Sequence, residues 1–141
     1  MKLENVSRLC RRNRRGAAAV EFAVVAPLFF LMVLGMIEFG RLIMVQQVIT
    51  NASREGARMA VLDGATTAGV RTTVQNYLQG ASVRGAEVTV SPDPPTSAGF
   101  GDPVTVTVSV NFNQVSWLPS PMFLGGHTLV ATTAMRRETV Q

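Results

Sequence analysis

The sequence predicts an α+β fold: one long N-terminal helix, a second short helix and a three-stranded antiparallel sheet. Three patterns predict it. An apolar run near the start passes directly into a two-faced stretch with helical periodicity, a shorter stretch of the same period follows, and the last part of the chain alternates with period two. With 141 residues and such a run near the start, there is room for one small domain and no second one.

The first element begins behind a basic leader. Residues 1–16 hold Lys2, Arg8, Arg11, Arg12, Arg14 and Arg15 against Glu4. After Gly16 there are seven arginines and eight acids, so the net charge of +4 belongs to the leader alone. A nucleic-acid binder needs its cations on a folded face, and nothing after Gly16 supplies one.

From Phe22 to Ile37 no residue is charged, and extending the run back to Ala17 adds Glu21 as its only ionisable group. This length suffices to cross about 30 Å of hydrocarbon at about 1.5 Å per residue. Pro27 is tolerated in such a helix, where a bend is expected. Five arginines flank one side of the run, against Glu38 and Arg41 on the other. The positive-inside tendency then keeps the N-terminus in the cytoplasm and exports the remainder. A cleaved secretory signal is the competing reading, but GMIEFGRLIMVQQ offers no A-x-A-like site and continues as a helix.

An acid inside the bilayer costs on the order of 3 kcal/mol on insertion scales, so Glu21 calls for a reason. Its place near the helix start, at the positive end of the dipole, explains tolerance but not choice. A cut between Gly16 and Ala17 would place a new α-amino group one helical turn from Glu21. Pairing of those two charges, within a subunit or between neighbours, lowers the cost of burying either.

The segment Arg15-Gly16-Ala17-Ala18-Ala19-Val20-Glu21-Phe22 resembles the prepilin processing site of type IVb (Flp/Tad) pilins and pseudopilins. Phe22 stands where many Flp pilins have Tyr, which keeps the ring. The similarity extends through Pro27, Glu38-Phe39-Gly40-Arg41 and Asn51-Ala52-Ser53-Arg54-Glu55-Gly56-Ala57-Arg58-Met59-Ala60, over about residues 14–62. That set resembles the signature of the TadE family of tight-adherence pilus assembly proteins. The resemblance implies a pilin-like fold and a role as a minor pilin-like subunit, cut by a prepilin peptidase between Gly16 and Ala17. It also implies partners: the major Flp pilin, other pseudopilins, an inner-membrane assembly platform and a cytoplasmic ATPase. Membrane lipid is the remaining partner, and no cofactor is expected.

Beyond Phe39 the helix becomes striped. Leu42, Val45, Ile49, Ala52, Gly56 and Met59 recur at three- and four-residue steps, and the helix is expected to run from Ala17 to about Leu62, with Gly64 ending it. Ala52, Gly56 and Ala60 form a small-residue strip that permits close backbone approach, to the protein's own sheet or to another pilin-like helix. Arg54, Glu55 and Arg58 read as a solvated face with a local ion pair, to which the family resemblance adds an interaction role.

A second amphipathic helix is expected from Thr67 to Gln79, stopped by Gly80. Glu87–Val90 opens a strand, the Pro/Gly-rich stretch from Pro92 to Pro103 interrupts it, and Val104, Val106, Val108 and Val110 alternate with Thr and Ser. A third strand is expected at Thr128–Arg137, after a loop containing Trp117, Pro119, Pro121, Gly125 and Gly126, with Trp117 serving as a lid on the core. The organisation is thus a leader at 1–16, a transmembrane helix at 17–38, its amphipathic continuation at 39–63, and a small exported α+β domain at 64–141.

Catalytic chemistry is thin. His127 and Cys10 are single and far apart, which leaves neither a triad nor a zinc site. Asp93 and Asp102 bracket the Pro/Gly loop, where a calcium ion would need backbone carbonyls as further ligands. Neither a metal nor an enzymatic activity is expected; the rival readings are an uncleaved, signal-anchored binding module and a secreted enzyme.

Overall fold

A computed structural model describes residues 4–118 and 121–138. Lys2, Pro119 and residues 139–141 lie outside this range, as do the side chains of the leader arginines and of Cys10. The chain divides into two compact units, residues 1–37 and 38–141, each treated in its own right.

Helix α1 runs Glu4–Ala60 and α2 runs Thr67–Gly80. The strands are β1 (Glu87–Ser91), β2 (Pro103–Asn111) and β3 (Thr128–Arg136). They form one antiparallel sheet in the order β1-β2-β3, as the valine alternation predicts.

In the first unit α1 begins within the leader, at Glu4 instead of Ala17. The leader carries no proline, its arginines and leucines are good helix formers, and Gly16 alone does not break the run. Large apolar side chains along it, Val20, Phe22, Leu28, Phe29 and Met36 among them, are exposed. Such a continuous bare apolar surface marks contact with membrane or protein. Within α1 lies a helix long and apolar enough to cross a bilayer, which is consistent with a single-pass anchor.

In the second unit the striped part of α1 and the helix α2 cover one face of the sheet. Val104, Val106, Val108 and Val110 turn inward from β2 with Val88 and Val90 beside them. Val45, Ile49, Ala52, Ala57 and Ala60 come from α1, and Val70, Val74 and Leu78 from α2. Gly56 is where these layers meet: a Cβ there would lie 2.5 Å from Val74 Cγ2 and 3.1 Å from Val106 Cγ1. The small-residue strip is therefore filled by this chain's own α2 and sheet. Nearby, the Ser53 and Thr133 hydroxyls share a hydrogen bond of 2.7 Å, and Gln46 Nε2 donates to the Val130 carbonyl on the edge strand β3. On the outer face the register partners Thr107 and Thr132 join their hydroxyls at 3.1 Å.

The helix ends differ slightly from expectation. α1 closes at Ala60, followed by a turn in which Gly64 has positive φ. Thr66 caps α2 by accepting the Gly69 amide at 3.1 Å. Gly80 does not stop α2 but is its last residue; Ser82 takes the left-handed position, at φ 57°. The Val83 amide reaches the Leu78 carbonyl at 2.9 Å and the Ser82 amide reaches Gln79 at 3.0 Å, a Schellman closure. Val83 and Leu78 are both buried, so an apolar contact compensates the strain at Ser82.

β3 stops one residue short of Arg137, which leaves the strand to hold the β1–β2 connection. Arg137 Nη1 donates to the carbonyls of Thr96 and Ala98, and its Nη2 lies 3.7 Å from Asp63.

Candidate functional site

The predicted site residues fall into two groups. Gly16, Ala17, Glu21 and Phe22 lie in the first unit, all exposed. Ala17 and Glu21 are four residues apart in one helix, hence on one face. Glu21 makes no ion pair among the described residues. The bond between Gly16 and Ala17 falls inside α1, at the residue whose helix propensity is weakest in that stretch.

The second group lies along α1 in the second unit. Ala52 and Gly56 are buried against the core, whereas Arg54 and Arg58 face outward. Arg58 Nη2 donates to Glu55 Oε1 at 3.2 Å, a solvated i, i+3 pair of small energetic weight. Arg54 also lines a shallow groove of about 310 Å³ with Leu42, Ile43, Gln46, Thr50 and Asn51. The buried strip and the charged face thus occupy opposite sides of the same helical turns.

Two further residues of the signature carry more structure than the sequence suggests. Glu38 is 1% exposed, and its carboxylate accepts the consecutive backbone amides of Phe123 (3.2 Å to Oε2) and Leu124 (2.9 Å to Oε1). Arg41, 4% exposed, donates from Nε to the Val115 carbonyl at 2.8 Å and from Nη1 to Met44 Sδ at 3.5 Å. Its guanidinium also lies 4.9 Å from the centre of the Trp117 ring, a cation–π contact. Desolvation lowers the Arg41 pKa from its ordinary value, but an arginine stays cationic in proteins.

Glu38 and Arg41 lie three residues apart, so one turn of α1 fastens both ends of the β2–β3 connection. The carboxylate satisfies two orphan amides at one end, and the guanidinium satisfies a carbonyl at the other. Phe39-Gly40 between them point elsewhere and are exposed. The signal available in the sequence was the pair of opposite charges at i, i+3 directly after an apolar run. Their partners lie more than seventy residues away, where periodicity has no reach.

Trp117 is not a lid on the core. The indole is 64% exposed and rests on Arg41, because Phe112 and Val115 already fill the interior at that end of β2. His127 is exposed at the start of β3, its carbonyl accepting the Phe112 amide at 2.8 Å. Asp93 accepts a hydrogen bond from Thr67 Oγ1, and Asp102 accepts one from the Gly99 amide at 3.0 Å. Among the described residues no three His, Cys, Asp or Glu side chains gather as a metal site would need.

No curated protein and no solved structure gives a significant match. Residues 16–58, which contain Glu21, the clamp of Glu38 and Arg41 and the strip at Ala52 and Gly56, do match the family model described as TadE-like protein, the family that the signature read along α1 resembles.

Proposed function

We propose that this chain is a minor pilin-like (pseudopilin) subunit for biogenesis of a tight-adherence (type IVb, Flp/Tad) pilus. The TadE-like match over residues 16–58 carries the reading, since that family implies a Tad pilus-associated role. The subunit is held in the cytoplasmic membrane by a single pass, with its N-terminus inside and its C-terminal domain outside. It is not an enzyme but a substrate of one. A prepilin peptidase cuts between Gly16 and Ala17, where a glycine weakens the helix by about 1 kcal/mol relative to alanine and eases the local opening that proteolysis needs.

The cut leaves the Ala17 α-amino group one turn from Glu21, and their pairing offsets the cost of an acid in lipid. Assembly then proceeds through packing of the apolar half of α1 against the major Flp pilin and other pseudopilins. An inner-membrane platform with its ATPase drives the process.

The test is the N-terminal sequence of the protein extracted from membranes of cells that make functional fibres. Ala17 is the expected first residue. A chain that still starts at Met1 or Lys2 would overturn the processing step and favour an uncleaved anchor carrying a binding module.

A further inference from the structure

We propose that the β2–β3 connection is a second membrane contact, with Trp117, Met122 and Phe123 seated at the boundary between lipid headgroups and acyl chains. This rests on the reading of the apolar part of α1 as a membrane anchor. Glu38 directly follows Ile37, the last residue of the charge-free run. Wherever that run leaves the hydrocarbon, Glu38 is at the same level, and so are the amides of Phe123 and Leu124 bonded to its carboxylate. Arg41, three residues on, brings Trp117 to the same turn.

The composition of the connection fits that level. Residues 116–126, Ser-Trp-Leu-Pro-Ser-Pro-Met-Phe-Leu-Gly-Gly, contain no ionisable side chain. Three of their large apolar groups face outward, Trp117 with Phe123 at 59% exposure and Met122 at half, and Phe39 on the helix is 58% exposed beside Glu38. Tryptophan and other amphipathic aromatics are the side chains enriched at membrane–water boundaries. The β1–β2 connection at the other end of β2 is built differently, with Asp93 and Asp102 in it and Arg137 tying it together.

Backbone polarity agrees. In a region poor in water each free amide is costly. Here the Phe123 and Leu124 amides go to Glu38, that of Leu118 to Ser116 Oγ, that of Gly126 to Asn113 Oδ1, and that of His127 to the Leu124 carbonyl. These five donors keep their partners when the connection sheds water.

Trp117 is the single tryptophan of the chain, so its fluorescence reports this contact directly. The full chain is placed in vesicles of phosphatidylethanolamine and phosphatidylglycerol, without bromine or with bromine either near the glycerol end or near the terminal methyls of the acyl chains. A Trp117→Phe/Phe29→Trp double variant, whose one indole lies within the apolar run, reports the anchor separately. The expected result is that Trp117 loses most of its emission with bromine near the glycerol end, and the Phe29→Trp indole with bromine near the terminal methyls. Quenching of the Phe29→Trp indole with unchanged, red-shifted Trp117 emission overturns the inference and leaves the anchor intact. A blue-shifted but unquenched Trp117 shows that another copy of the chain covers the connection, which overturns it as well. If neither indole is quenched, the anchor reading fails and the inference with it.

Discussion

Glu38 is the residue whose replacement tests the clamp most directly. Its carboxylate is buried and accepts two amides that have no other partner among the described residues, and a hydrogen bond to a charged group contributes about 1.5–3 kcal/mol. Glu38→Ala is therefore expected to destabilise the second unit by about 2–3 kcal/mol, with Glu38→Gln intermediate because one amide oxygen still accepts. Denaturant unfolding of the detergent-solubilised chain checks this, and an effect under about 0.5 kcal/mol, typical of a plain surface change, would remove the clamp. Arg41 works by a planar fork, a carbonyl and a ring together, none of which a lysine reproduces. Burial lowers its pKa, but an arginine stays cationic in proteins, so its charge adds no pH transition to stability. At this scale the sequence was only partly readable. Gly16, Glu21 and the Ala52–Gly56 strip stood out from local spacing. The duties of Glu38 and Arg41 depend on a loop that arrives from the far end of the chain, and the outward turn of Trp117 depends on Phe112 having taken the interior.

Gly56 and Gly40 on α1 make a matched pair of tests at the scale of the element. A methyl group at Gly56 meets Val74 and Val106 in a full core, whereas nothing lies within 4 Å of one at Gly40. Gly56→Ala is expected to lower stability by about 1–3 kcal/mol through overpacking, despite the better helix propensity of alanine. Gly40→Ala is expected to raise it by up to about 1 kcal/mol. Thermal melts of the two variants side by side give the answer, and equal shifts of the same sign would mean that α1 does not press on α2 and the sheet as described. Element types were legible throughout, because a valine every second residue cannot serve a helix and the α1 stripe cannot serve a strand. Boundaries were less so. The start of α1 moved into the leader because arginine-rich sequence is as helical as the apolar run behind it. The end of α2 shifted because a buried valine at position 83 can hold Ser82 in a conformation usually left to glycine.

For the whole molecule the decisive variant is Glu21→Ala. It removes a charge from the apolar run without touching the core of the second unit, so insertion and folding should be unchanged. Under the proposed role, cells carrying it make the protein at normal level yet fail to build fibres, as counted by electron microscopy. Normal piliation would show that Glu21 pairs with nothing that assembly needs. The division of labour along the chain follows from its two compositions. The first stretch of α1 exposes apolar side chains along its length, and the remainder buries them against valines. Because one turn of helix grips both ends of the β2–β3 connection, traction arriving through the anchor at residue 38 does not travel along the helix alone. It is divided at once between the helix backbone and, through Phe123, Leu124 and Val115, the two longest strands, so under the proposed role a subunit pulled from its root would resist with its sheet in shear.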